Sequence, residues 1–220
     1  MTDPSSGKRT GLAATVRRAL RALGKTGVPH CVIGATALAV RGLPRMTRDL
    51  DVAVLIDDAS RAWEAFAHAA LRASTPTGSP DDPERMVIFT DPKTGVEVDL
   101  LVAAGDPEAT AIADAPRANV FGVKAPVAML EHLLLMYLYS NQPRHLGDFA
   151  AIVQSGKADL SKAERMLREM HPEMVPTWKR RVAAVKSPPP PPPRPPRRRR
   201  RVEPIGFRRS LTRPRPRAAR

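Results

Sequence analysis

Three acidic residues carry the chemistry this chain offers. Asp49 and Asp51 stand two apart at the head of an apolar run, Val52-Ala53-Val54-Leu55-Ile56. On a strand both carboxylates therefore leave the same face. Neighbouring carboxylates repel unless a cation sits between them, and hard oxygen donors suit magnesium or manganese better than zinc. Asp99 lies in a second alternating run, Gly95-Val96-Glu97-Val98-Asp99-Leu100-Leu101-Val102. There Val96, Val98 and Leu100 share one face, and Glu97 and Asp99 the other. If the two runs pair as neighbours, about 4.8 Å apart, Asp99 joins the first two acids around one or two metal ions. Such ions stand roughly 3.5–4 Å apart in two-metal sites.

The surrounding elements must position these acids. Residues 30–33, His-Cys-Val-Ile, read as a strand, and Gly34-Ala35 as a tight turn into a short helix over 36–40. Backbone N–H groups at that helix start can cradle phosphate. Asp91-Pro92-Lys93-Thr94-Gly95 reads as a hairpin turn between a strand at 85–90 and the Asp99 strand, and so fixes where Asp99 stands.

Leu12, Val16, Leu20 and Leu23 recur at helical spacing ahead of the first strand. Arg17, Arg18, Arg21 and Lys25 face away from that stripe and read as a solvated outer face rather than a nucleic-acid surface. Asp57 and Asp58 read as the acidic start of a helix over 59–72, not as a second metal pair. Residues 74–84 form a turn-rich loop. A helix at 106–114 and an extended segment at 120–124 follow, then helices at 127–139, 146–153, 160–170 and 175–185. Arg144 and Asp148, four apart, suit an ion pair on one helix face. His132 and His145 read as structural histidines rather than bases.

The 220 residues divide into an α/β part at 11–125, a helical part at 126–186 packed on it, and a tail at 187–220. The tail holds twelve arginines against a single glutamate, Glu203, so the preceding residues carry only +3 of the net +14. Its proline run at 188–193 and five consecutive arginines at 197–201 cannot build a packed core, and it reads as disordered. Residues 194–220 can contact nucleic acid through charge alone. Cys31 is the sole cysteine, which excludes an internal disulfide and fits a reducing, cytoplasmic setting. The start of the chain lacks a signal peptide's apolar core, and no apolar run approaches the ~20 residues of a membrane span.

The Gly34-Ala35 turn, Arg45-x-Thr47-x-Asp49-Leu50-Asp51 and Val98-Asp99-Leu100 resemble the nucleotidyltransferase superfamily of the DNA polymerase β type. They are most similar to small bacterial nucleotidyltransferases of the AbiEii toxin type. The resemblance covers about residues 28–153. It implies an α/β (α+β) fold with a mixed sheet flanked by helices. It also implies transfer of a nucleoside monophosphate from a nucleoside triphosphate to an acceptor hydroxyl, with Mg2+ or Mn2+. On this reading Asp49 and Asp51 bind metal, and Asp99 is the third acid, metal ligand and helper in deprotonation. Gly34, Ala35 and Thr36 hold the triphosphate through the turn and helix start. Arg45 and Arg48 offset charge on the leaving pyrophosphate, and Thr47 steadies an aspartate. Relatives carry Gly or Ser where Ala35 stands, and often a lysine where the chain has Tyr137.

The resemblance leaves the acceptor open among a protein, a transfer RNA and a small molecule such as an aminoglycoside. It implies a toxin–antitoxin pairing, with an antitoxin protein as partner. The rival reading is a non-catalytic member of the same fold that binds nucleic acid or a protein through its arginine-rich tail.

Overall fold

A computed structural model of the chain describes residues 4–73, 86–103 and 105–187, with side chains from residue 11 onward. The loop expected at 74–84 and, from residue 188 on, the tail expected at 187–220 lie outside the described residues. The order along the chain is α1 (Pro4–Thr26), β1 (His30–Val32), α2 (Gly34–Val40), β2 (Asp49–Leu55), α3 (Ala59–His68), β3 (Arg72–Ala73), β4 (Met86–Thr90) and β5 (Glu97–Ala103). Then come α4 (Asp106–Asp114), β6 (Arg117–Val120), β7 (Val123–Pro126), α5 (Leu130–Leu138), α6 (Pro143–Ser155), α7 (Leu160–Met170) and α8 (Val175–Lys186).

Five strands form a mixed sheet in the order β1-β2-β5-β4-β3. β2 and β5 run parallel, while β1–β2, β5–β4 and β4–β3 are antiparallel. The fold is thus α/β, a mixed sheet flanked by helices. Among the described residues no helix is long and apolar enough to cross a membrane.

Period-2 alternation assigns each sheet face. Leu50, Val98 and Phe89 are register partners across three strands and share one face. Phe66 and Trp63 of α3 meet Phe89 edge-on, with ring centroids 5.0 and 5.2 Å away, so α3 covers this face. Asp51, Asp99 and Ile88 are the next register row and lie on the opposite face. The apolar core runs without a break from Val16 of α1 through the sheet to Trp178 of α8.

Three elements depart from the sequence reading, each because of a backbone contact. The helix expected over 59–72 stops at His68. Ala70 adopts a left-handed φ of 58°, and the Leu71 N–H turns back to the Phe66 carbonyl at 3.0 Å. That frees Arg72 and Ala73 to pair with β4. The helix expected from residue 127 begins at Leu130, because Val127 and Ala128 extend β1's pairing: the Ala128 N–H donates to Val32 O at 2.9 Å. The extended segment expected at 120–124 is the tip of a hairpin, β6–β7, turning through Phe121 and Gly122 at positive φ.

Two long-range polar anchors fix the layers. Arg41, just past α2, donates from Nε to Ala128 O at 3.0 Å and from a terminal nitrogen to Val127 O at 2.5 Å. Asp91, read in the sequence only as a turn residue, is 1% exposed. Its carboxylate accepts from Thr15 and pairs with Arg18, both on α1. It also accepts from Thr94 Oγ1 at 2.9 Å and from the Lys93 N–H at 3.0 Å. Burial opposes ionisation of Asp91, but these hydrogen bonds together outweigh it and hold the carboxyl well below the ordinary carboxylate range.

A depressed folded pKa contributes stability above the unfolded value and loses it as pH falls toward the folded one. Asp91→Ala should therefore cost about 3–5 kcal/mol in urea unfolding at neutral pH, since it strands Arg18 and two hydroxyls. The gap from wild type should shrink as pH falls below about 4, where the carboxylate of the unfolded chain becomes protonated.

Candidate active site

β2 and β5 bring the acids together. Their parallel register sets Asp51 opposite Asp99 and Asp49 opposite Glu97, so four carboxylates form one stripe on one face. Glu97 was not among the residues singled out from the sequence, although the same alternation places it there. Asp49, Asp51 and Asp99 are half-buried and Glu97 is exposed. Asp99 Oδ1 is buried and has no hydrogen-bond partner.

The crowding shows in the proton affinities. Burial, then the charges of Asp49 and Asp99, push Asp51 up to about 7, against the pull of Arg144 and Arg45. Burial, then Asp49 and Glu97, push Asp99 up to about 6, with Arg144 opposing. Thr47 Oγ1 donates to the Asp49 carboxylate, as the sequence suggested.

The Gly34 turn is pressed against these acids. Ile33 N–H donates to Asp51 O at 3.0 Å, which locks the turn to β2. Gly34 has a φ of 61°, and a Cβ built on it would fall 2.1 Å from Asp51 Oδ2. Only glycine satisfies both conditions. The helix α2 begins at Gly34 itself, and its first N–H groups have no intrahelical acceptor. Ala35 and Thr36 are buried as whole residues, and the Thr36 hydroxyl has no hydrogen-bond partner among the described residues.

Helices α5 and α6 wall the carboxylate face. Arg45 Nε pairs with Asp148 of α6 at 3.0 Å. The ion pair suggested within one helix, Arg144 with Asp148, is therefore replaced by a contact across 103 residues. Arg144 is left exposed, with its charge felt by Asp51 and Asp99. Arg48 is exposed on the loop before β2. Tyr137 is buried and its hydroxyl has no partner. Burial, then the negative charges of Asp148 and Asp51, push its phenol up. His145 stacks on the Tyr137 ring, centroids 5.0 Å apart, and its Nδ1 lies 2.7 Å from Ser140 Oγ.

The donor chemistry fits a hard divalent cation: carboxylates from adjacent strands, an orphaned buried oxygen, and mutual repulsion that a cation would relieve. Among the described residues, however, no three His, Cys, Asp or Glu side chains already stand as a ligand group. The strands set the acids in register, and binding would require their side chains to converge.

No protein-family model matches the chain, and no curated protein does. Solved structures do match in fold. The solution structure of the antibiotic-resistance factor ANT(2'')-Ia superposes with a TM-score of 0.53 at 16% identity, over 80% of this chain and 95% of that one. The crystal structure of ANT(2'')-Ia in complex with adenylyl-2''-tobramycin gives 0.52 at 14% identity, over 73% of this chain and 97% of that one. The chain thus shares its fold with ANT(2'')-Ia.

A carboxyl whose folded pKa is raised contributes its stability below the unfolded value and loses it as pH rises through the folded one. In metal-free protein, Asp51→Asn should therefore gain stability over wild type as pH rises from about 4 to about 7. The gain should reach about 1–3 kcal/mol after discounting for partial exposure, read from denaturant midpoints across that range. Gly34→Ala should be destabilised by roughly 1–3 kcal/mol in the same measurement.

Proposed function

We propose that this chain is a metal-dependent nucleotidyltransferase acting on a hydroxyl of a small-molecule acceptor. The observation that carries this reading is the register pairing of Asp51 with Asp99, flanked by Asp49 and the Gly34 turn. Asp49, Asp51 and Asp99 would hold Mg2+ or Mn2+. Bound there, the ion would draw charge from the triphosphate and lower the pKa of the acceptor hydroxyl.

The chain's own groups supply the rest. The N–H groups opening α2 orient the phosphates. Asp99, register partner of Asp51, takes the proton of the acceptor hydroxyl. The acceptor oxygen bonds to the α-phosphorus as the bond to pyrophosphate breaks. Arg144 and Arg48, both exposed, stand available to the pyrophosphate's growing charge. Arg45 is held by Asp148 and acts on the site as a fixed positive charge.

The adenylyl-2''-tobramycin held by a structural neighbour supports an aminoglycoside-like, polyhydroxylated acceptor and an adenine nucleotide. A toxin acting on a protein or transfer RNA, with an antitoxin as partner, rests on the residue pattern alone.

Transfer of label from an α-labelled nucleoside triphosphate, with magnesium, to tobramycin and to transfer RNA tests this directly. Wild type should label the aminoglycoside. Asp99→Asn should lower kcat roughly 10²–10⁴-fold, and Asp49→Asn and Asp51→Asn at least as much. Unchanged rates in Asp49→Asn and Asp51→Asn would sink the metal role. Absence of any nucleotide binding by calorimetry would leave the non-catalytic module.

A further inference from the structure

On the sheet face opposite the carboxylates, α1 and α3 flank an open groove of about 690 Å³. Arg17, Arg21 and Lys25 of α1, His68 of α3 and Lys93 of the β4–β5 turn line it, over a floor made largely of alanines from both helices. Arg21 and Lys25, read in the sequence as part of a solvated outer face, are exposed, and they stand along this open groove. Among the described residues no carboxylate lines the groove. Arg18, also in its wall, is neutralised by Asp91. Among the described residues, Arg17, Arg21, Lys25 and Lys93 have no carboxylate within ion-pair reach.

Arg17, Arg21 and Lys25 are four residues apart along one helix, which spaces them by about 6 Å in a straight row. Unpaired like charges in a row oppose folding unless a partner neutralises them. A single small anion would meet one or two of them, whereas a linear polyanion meets all three. Among the described residues the lining contains no Phe, Tyr or Trp on which a base could stack. Contact is then with the backbone, without sequence choice.

We propose that the α1–α3 groove binds the phosphodiester backbone of a nucleic-acid strand. This site is separate from the carboxylate site and does not depend on the activity proposed there.

Fluorescence anisotropy of the full chain with labelled RNA and DNA oligonucleotides of one sequence, over a salt series, tests it. Each phosphate contact contributes roughly 0.7–0.9 to the slope of log K against log salt. The variant Arg17→Ala/Arg21→Ala/Lys25→Ala should lose about 2–3 of that slope, with a melting temperature no lower than wild type. Arg17→Lys/Arg21→Lys/Lys25→Arg should keep it. Segment 194–220 is common to all three proteins, so the difference belongs to the groove. Bound oligonucleotide should also protect Lys25 and Lys93 of the wild type from an amine-reactive label. A wild-type slope in the alanine variant, or unchanged labelling, overturns the proposal. So does groove-dependent binding of polyglutamate that is tighter than that of RNA, which would assign the surface to an acidic protein.

Discussion

Parallel pairing of β2 with β5 imposes the constraint that the rest of this molecule accommodates. This pair aligns two acidic alternations, so that Asp49, Asp51, Glu97 and Asp99 crowd into one stripe. Left alone, that stripe resists ionisation. Its neighbours read as responses to the crowding. Thr47 donates to Asp49, Arg45 and Arg144 bring positive charge, and Gly34 withdraws its side chain altogether where Asp51 needs the space. Compensation is incomplete, since Asp51 and Asp99 still hold protons more tightly than ordinary carboxyls.

The walls of this face depend on distant parts of the chain. Asp148 of α6 fixes Arg45 from 103 residues away. Arg181 of α8 donates to the carbonyls of Tyr137, Leu138 and Ser140 at 2.9–3.2 Å, satisfying the end of α5. Tyr137 is therefore held in place by the last described helix. The helical half of the chain sets the surroundings of the carboxylates, while the strands set their register.

Much of this was legible in residue order, and the reason is local. Two-residue alternation names the face of Asp49, Asp51 and Asp99 without any tertiary knowledge, and the limits of α4 and α7 follow from Pro107 in the first turn of one and the Asp159 cap of the other. What escaped was set by partners far off in sequence. Nothing near Asp148 announces Arg45, and nothing near Asp91 announces Thr15 and Arg18. Ala70's left-handed turn, which ends α3 early, occurs at a residue type that ordinarily continues a helix. Glu97 was visible in the alternation, but its pairing opposite Asp49 needed the register. The cations of α1 were visible too. Their concave setting was not, because it takes α3 to close the other side.

The Asp91 anchor also bears on the order in which the chain assembles. α1 leaves the ribosome ahead of the sheet strands, yet Thr15 waits 76 residues for its acceptor. Closing so long a loop is slow compared with forming a helix. During vectorial synthesis α1 therefore emerges without its polar anchor, and the tie of Thr15 and Arg18 to Asp91 is deferred until the β4–β5 turn has been made. A helix translated before the strands thus completes its polar anchoring only after they are made.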